Sequence, residues 1–219
     1  MLVLAFDTSS AAVTADLVDV STGDTADTAD TAVLGHEQWL GPHGHSEQLT
    51  PTIAACLDQA GHAPRDLDAI VVGAGPGPFT GLRVGLVTAA AMAEALGIPA
   101  YEVCSLDGLA PATGTVLVAT DARRKEVYWA TYADGRRLTG PEVSYPVDVD
   151  PGAATAMTGA GARLYADVLG LPLLEGEHPS PAALVTVALD RIRSGAPSDA
   201  LTPLYLRRPD AVVPKAMSR

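Results

Sequence analysis

The sequence has few basic residues and few cysteines. Lysine and arginine number 14 against 26 aspartates and glutamates, which gives a formal net charge of −12. This negative charge repels nucleic-acid phosphates and excludes an extended nucleic-acid-binding surface unless a local basic patch overrides it. Cys56 and Cys104 lie far apart, without a Cys-x-x-Cys spacing. We therefore expect two reduced thiols, and neither a disulfide nor a cysteine-based metal site.

Helical histidine pairs and long apolar runs are also missing. None of the five histidines forms a His-x-x-x-His pair, the spacing that places two imidazoles on one zinc ion. No apolar run approaches about 18 residues without a polar residue or a glycine, and the N-terminus has no basic flank. We expect a cytoplasmic protein with no bound metal, no cofactor and no membrane segment.

What is present is an alternation of strand and helix patterns. Nearly half of the 219 residues are apolar, enough for one large core or two small ones. A first helix is predicted to end at Gly61, and either Ser46 or Thr50 is expected to cap its start. A second helix runs from about Gly81 to Leu96. Strands are predicted at Met1–Phe6, Ala12–Val20, Ala32–Leu40, Ala69–Val72 and Ala100–Val103.

The second half of the chain repeats the beginning of the first. Val-Leu-Val-Ala-Thr-Asp121 echoes Leu-Val-Leu-Ala-Phe-Asp7, and a strand at Val127–Tyr132 follows. The sequence predicts a duplicated α/β plan of three strands, helix, strand, helix and strand. Later helices are expected at Ala160–Leu169 and at Pro181–Arg193, the latter capped by Ser180. The predicted divisions are an N-terminal half, a smaller C-terminal half and a disordered tail, at 1–106, 107–209 and 210–219.

A loop of glycine and proline, Gly73–Gly85, joins the fourth strand to the second helix. Small residues before a helix expose backbone N–H groups that can hold a phosphate. The loop has no Walker lysine, and its glycine spacing misses the dinucleotide fingerprint. Thr80 is expected to cap the helix at Gly81. A nucleotide site and a purely architectural turn therefore both stay open for the following candidate residues: Asp7, Thr8, Ser9, Gly75, Gly77, Thr80 and Gly81.

The second helix is apolar on two sides. Steps of about 100° per residue place Leu82, Leu86, Met92 and Leu96 on one face. The other face has smaller residues, Val84, Val87, Ala91 and Ala95. A sheet covers only one helix face, so the second face is available either to the first helix or to a partner.

Five segments together resemble the TsaB family, also called YeaZ. The segments are Leu4–Ser10, His45–Leu49, Gly73–Gly85, Asp121–Tyr128 and Leu204–Arg207. The resemblance implies the actin-like ATPase, sugar kinase and Hsp70 superfold, with two ribonuclease-H-like halves. It implies a non-catalytic partner of the synthase TsaD which, with the ATPase TsaE, forms threonylcarbamoyladenosine at position 37 of tRNAs that read codons starting with A. The missing histidine pair agrees with a non-catalytic role.

The resemblance also implies a pairing surface on the first two helices. The contact positions that we predict on these helices are His45, Glu47, Ile53, Leu57, Arg83, Val87, Ala91 and Glu94. The isolated chain is expected to form a homodimer, and tRNA is expected to be met only through the complex.

Two other functions are considered. An ATP-dependent phosphotransferase or ATPase would use Asp7 and the glycine loop. A metalloprotease would depend on His43 and His45 alone. Basic clusters at Arg123–Lys125, Arg136–Arg137 and Arg207–Arg208 are expected to be solvated unless a partner docks on them.

Overall fold

The first sheet is built from the N-terminal strands. A computed structural model describes residues 1–21, 31–41 and 44–207. The strands are β1 (Leu2–Asp7), β2 (Ala12–Val20), β3 (Thr31–Leu40), β4 (Ala69–Gly73) and β5 (Ala100–Val103). Their order is β3-β2-β1-β4-β5, with β2 antiparallel to its neighbours and β4 parallel to both β1 and β5. All five predicted strands are confirmed within one residue at each end.

Helices cover both faces of this sheet. Among the described residues the α-helices are α1 (His45–Ala60), α2 (Phe79–Leu96), α3 (Ala160–Leu164), α4 (Ala166–Leu169) and α5 (Pro181–Arg193). Helices α1, α2 and α5 pack on the first sheet, whereas α3 and α4 pack against the second. Helices α1 and α2 pack on the face of β1 that carries Leu4 and Phe6. Helix α5 packs on the opposite face with Val3 and Ala5. The apolar β1 is therefore buried on both sides, as its continuous apolar run predicts.

The second sheet repeats the strand order of the first. Its strands are β6 (Thr115–Asp121), β7 (Val127–Ala133), β8 (Arg136–Ser144) and β9 (Ala156–Thr158), in the order β8-β7-β6-β9. A single parallel bridge from Met157 to Leu173 stands where a fifth strand would lie. Within residues 136–158, all of them described, no α-helix separates β8 from β9. The duplication is confirmed in strand order, and the second copy is reduced.

The starts of two helices differ from the prediction. Helix α1 begins at His45 after Gly44, whose left-handed backbone (φ 105°) lets its carbonyl accept from the amides of Glu47 and Gln48. Neither Ser46 nor Thr50 caps it. Helix α2 begins at Phe79 without a side-chain cap, so the prediction for Thr80 is wrong.

The remaining helix boundaries agree better. Gly61 and Gly97 end α1 and α2 in left-handed conformations, which glycine adopts without a steric penalty. Ser180 caps α5 by accepting from the amide of Ala183 at 3.3 Å, as predicted. The single helix predicted over 160–169 is divided at Tyr165 into α3 and α4.

The chain returns to the first sheet after the second sheet is complete. Helix α5, which the sequence analysis assigned to the second half, packs on β1, β2 and β4. Residues 198–207 then run along β5 towards the glycine loop, where Leu204 donates its amide to the carbonyl of Ala74. The boundary near residue 107 stays a prediction, and the packing unit around the first sheet includes α5. The predicted disordered tail, 210–219, lies outside the described residues.

Helix α2 is the one helix among the described residues that is long and apolar enough, by length and composition, to cross a membrane. Core helices of globular proteins share these properties. Here Leu82, Leu86, Ala89 and Ala93 are buried against the protein. We therefore assign its apolar character to packing on the sheet.

Candidate functional site

Asp7 ends β1 and is fully engaged inside the protein. Its side chain is 1% exposed. One carboxylate oxygen accepts from the amide and the hydroxyl of Ser9, at 2.8 and 2.6 Å. The other oxygen accepts from the hydroxyl of Ser105 at 2.5 Å. Three donors thus satisfy the carboxylate that the sequence analysis considered for a nucleotide site.

The glycine loop closes directly over this turn. A Cβ atom at Gly73 would lie 1.8 Å from Oδ2 of Asp7, and one at Gly77 would lie 2.3 Å from the carbonyl oxygen of Ser9. A Cβ atom at Gly81 would lie 2.4 Å from the carbonyl oxygen of Thr8. The hydroxyl of Thr8 also donates to the carbonyl of Gly81 at 2.8 Å. Glycine is needed at Gly77 and Gly81 because backbone packs on backbone there, and at Gly73 because the side chains of Asp7 and Ser105 fill the space.

Two amides of the loop donate to neighbouring segments of the protein. Ala74 donates to the carbonyl of Val103 at 2.8 Å, and Gly75 donates to the hydroxyl of Ser105 at 3.0 Å. Ser105 in turn donates its amide to the carbonyl of Gly75 at 2.7 Å. The turn of residues 7–9 and Ser105 therefore occupy the inner side of the glycine loop.

Burial sets the proton affinity of the groups in this region. Desolvation raises the pKa of Asp7, while the hydrogen bonds from Ser105 and Ser9 act in the opposite direction. The pKa of His178 is lowered, because desolvation outweighs the opposite effect of the nearby Glu177 and Asp7 carboxylates. Within residues 1–21, 31–41 and 44–207, no group of three or more histidine, cysteine, aspartate or glutamate side chains could hold a metal ion. His43 lies outside the described residues.

The predicted pairing positions fall into two groups. Val87 is 66% exposed, and Glu47, Arg83, Ala91 and Glu94 are also exposed. They form outward-facing stripes on α1 and α2, helices that contact each other.

The other predicted positions are less accessible. Ile53 and Leu57 are only 5% and 3% exposed and pack in the core under α1, so the structure removes them from the predicted surface. Their burial follows from the face that α1 turns to the sheet. His45 is half-buried, with Nε2 2.8 Å from the carbonyl oxygen of Ser10.

A contact at the start of α2 was missed by the sequence analysis. The ring of Tyr205 stacks on Phe79 with 5.0 Å between ring centres, and its hydroxyl accepts from Nε of Arg83 at 3.0 Å. The guanidinium of Arg83 lies 3.9 Å from the centre of the Phe79 ring. The family motif that includes Tyr205 was noted, but 122 residues separate Tyr205 from Arg83 and no local pattern links them.

Comparisons with known proteins agree with this architecture. The TsaD family model, described as tRNA N6-adenosine threonylcarbamoyltransferase, matches residues 41–150. An uncharacterized protein of Mycobacterium tuberculosis is 51% identical over 95% of this chain and 93% of its own length. An uncharacterized protein of Mycobacterium leprae is also 51% identical, over 96% of this chain, and the chain spans 56% of that relative.

Two more distant relatives are a protein named for its role in biosynthesis and a protein of solved structure. The Escherichia coli tRNA threonylcarbamoyladenosine biosynthesis protein TsaB is 28% identical over 94% of this chain and 95% of its own length. The solved structure of YeaZ from Pseudomonas aeruginosa superposes with a TM-score of 0.75 at 28% identity, covering 94% of this chain and 99% of that one.

The fold, the family model and the solved relative together define a class of protein. Two sheets of the same strand order, with a glycine loop closed over the end of the first strand, form a mixed α/β protein. The match to YeaZ and to the TsaD family model assigns it to the actin-like, TsaD-type fold. The family model and the relatives narrow this class. The chain belongs to the TsaB family, also called YeaZ.

Proposed function

We propose that this chain is a non-catalytic subunit in the biosynthesis of threonylcarbamoyladenosine in tRNA, and that it acts by pairing with TsaD. The observation that carries the proposal is the exposed stripe of α2, with Val87 66% exposed and Ala91 beside it. Small apolar residues allow a second helix to approach closely. Arg83 and Glu94 lie near the two ends of this stripe and can orient a partner by charge.

The pairing surface extends onto α1. Glu47, Pro51 and Ala54 are exposed and follow one another at helical spacing. Helices α1 and α2 are in contact, so their outer stripes form one surface onto which two partner helices can pack as a bundle. Ile53 and Leu57 support this surface from below instead of contacting the partner.

The non-catalytic part of the proposal is supported by the engagement of Asp7. A phosphotransferase of this fold would need a carboxylate at the end of β1 that can reach a ligand or a metal ion. Here the carboxylate is 1% exposed and accepts three hydrogen bonds from Ser9 and Ser105. The burial of Asp7 therefore supports a scaffold over an ATP-dependent phosphotransferase or ATPase.

Further parts of the proposal follow from the family. TsaE would join the chain and TsaD in a cytoplasmic complex that modifies position 37 of tRNAs reading codons that start with A. In the absence of TsaD, the exposed stripe of α2 would favour a homodimer, because an unpaired apolar surface gains free energy when it is buried.

Reconstitution of the reaction tests the function. TsaD, TsaE, ATP, threonylcarbamoyl-AMP and tRNA are combined with and without the chain, and modified adenosine is measured by mass spectrometry. We expect modification only when the chain is present, and an Asp7→Asn variant should support the same rate per folded molecule. Equal modification without the chain would contradict the proposal, as would magnesium-dependent ATP binding by the isolated chain that is lost in Asp7→Asn.

A further inference from the structure

A concave surface lies between the two sheets, where Gly77 and Pro78 of the glycine loop lead into α2. It encloses a cavity of about 430 Å³, within the range of roughly 300–1,000 Å³ typical of ligand sites. The residues that define this surface, here called the arginine groove, are Phe79, Arg123, Arg124, Tyr128, Tyr205 and Arg207. The turn between β6 and β7 forms one wall, and the tail that follows α5 forms another. None of these residues belongs to the pairing stripes on α1 and α2.

The arginine groove is basic in a strongly acidic chain. Four basic residues lie in or beside it, namely Arg123, Arg124, Lys125 and Arg207. The carboxylates of Asp121 and Glu126 offset two of these four positive charges. The whole chain carries a formal charge of −12. Arginines gathered in one place against this background form the local basic patch that an anionic polymer requires.

Arg123 and Arg207 are held in place, and the charge of Arg123 stays accessible. Nη1 of Arg123 lies 3.2 Å from Oδ2 of Asp121, yet the arginine side chain is 63% exposed. Arg207 donates to the carbonyl of Ala122 at 2.8 Å and forms an ion pair with Glu126. Fixed arginines lose little conformational entropy when they bind phosphate, and their planar groups match phosphate geometry.

The turn that carries two of these arginines has a costly backbone conformation. Arg123, Arg124 and Lys125 have φ angles of 60°, 55° and 64°, a left-handed region that residues with a Cβ atom rarely occupy. Strain of this kind persists where the surrounding structure enforces it and is concentrated at functional sites. All three basic side chains are exposed, and those of Arg123 and Arg124 line the groove.

Aromatic rings line the same groove. Phe79 and Tyr205 are stacked and are 42% and 38% exposed, and Tyr128 lies in the wall with its ring 5.9 Å from the guanidinium of Arg207. Surfaces that bind single-stranded nucleic acid combine basic groups for the backbone with aromatic rings on which bases stack. An acidic protein segment would use the arginines but would leave the aromatic rings without a comparable partner.

We propose that the arginine groove binds a single-stranded segment of RNA, with phosphates against Arg123 and Arg124 and a base against Tyr205. This inference rests on the proposed function, because a subunit of a tRNA-modifying complex has a single-stranded loop of tRNA within reach. It adds a direct RNA contact to a chain that was expected to meet tRNA only through its partner.

Fluorescence anisotropy of the full chain with a labelled oligouridylate of about 12 nucleotides tests the proposal. We expect wild-type binding that weakens with salt. The double variant Arg123→Ala and Arg124→Ala should bind at least about tenfold more weakly, with a salt slope smaller by about 1.4. Tyr205→Ala should lose at least about fivefold in affinity, whereas Tyr205→Phe, which keeps the ring, should bind like the wild type. Arg65→Ala, which removes an arginine that is 85% exposed and does not line the groove, is the matched control and should leave binding unchanged.

Several results would overturn the proposal. They are wild-type binding without salt dependence, equal binding by the double variant, displacement of the RNA by polyglutamate of equal charge, and displacement by an equal nucleotide concentration of ATP. The last two would assign the groove to an acidic protein segment or to a free nucleotide. Pairing with TsaD is measured separately on the same variants. If the wild-type chain pairs with TsaD but does not bind the RNA, only the groove proposal is removed, whereas failed wild-type pairing would remove the proposed function.

Discussion

The turns that follow β1 and β6 contain the same local hydrogen bond, but one turn is buried and the other is open to solvent. The carboxylate of Asp7 accepts from the amide of Ser9 at 2.8 Å, and that of Asp121 accepts from the amide of Arg123 at the same distance. Asp7 is then covered by the glycine loop and is 1% exposed. The side chain of Asp121 is 26% exposed and pairs with Arg123. The duplicated turn is thus structural in the first half, whereas in the second half it presents charge to solvent.

The contrast lies in what packs on each turn. In the first half, the small residues of the loop allow backbone contact with Thr8 and Ser9. In the second half, the positions after the aspartate hold Ala122 and Arg123, and the turn stays open at the arginine groove. A repeated sequence motif therefore fixes a local turn without fixing what that turn does.

The largest expected effect is at Gly77. In Gly77→Ala the new Cβ atom would lie 2.3 Å from the carbonyl oxygen of Ser9, and neither backbone can move freely. We expect the free energy of unfolding to fall by about 3 kcal/mol, measured by urea denaturation. Thr80→Ala, at an exposed residue of the same segment that makes no capping bond, should change it by less than about 0.5 kcal/mol. Similar stability of the two variants would show that the loop does not close on the turn.

The next effect compares the two aspartates directly. Asp7→Asn places an amide against the hydroxyl donors of Ser9 and Ser105 and should lower the free energy of unfolding by about 2 kcal/mol. Asp121→Asn weakens an exposed ion pair and should cost about 0.5 kcal/mol. An equal decrease in the free energy of unfolding for the two variants would contradict the distinction between a buried and an open turn.

The pH dependence of stability should be smaller but distinctive. Burial raises the pKa of Asp7 above its usual value of 3.8, so the folded state binds the proton more tightly than the unfolded state. The resulting contribution is fully present below about pH 4 and is lost as the pH rises through the folded-state pKa. The stability difference between wild type and Asp7→Asn should therefore decrease with rising pH in this window, when urea unfolding is repeated at several pH values. A difference that grows with pH would mean that the hydrogen bonds outweigh burial.

The sequence predicted the features that depend on local patterns. The apolar run of β1, the glycines after α1 and α2 and the cap at Ser180 follow from residue types a few positions apart, and the structure confirms them. The family motifs also predicted the actin-like fold and the reduced second half.

The remaining features depend on contacts between distant parts of the chain. Helical periodicity could not tell which stripe of α1 faces the sheet, so Ile53 and Leu57 were placed on the surface although both are buried. The return of α5 to the first sheet and the stacking of Tyr205 on Phe79 connect segments more than 100 residues apart. The bond from Ser105 to Asp7 likewise links residues separated by 98 positions.

The most direct test of the central claim is co-elution with TsaD in size-exclusion chromatography. The variants are Ala91→Arg, on the exposed stripe of α2, and Ala153→Arg, the same change at an exposed residue in the second half. Both should fold like the wild type because both side chains face solvent in the isolated chain. We predict that Ala153→Arg co-elutes with TsaD and that Ala91→Arg does not, because a buried, unpaired arginine opposes helix pairing. Co-elution of Ala91→Arg at the wild-type ratio would contradict pairing through this face.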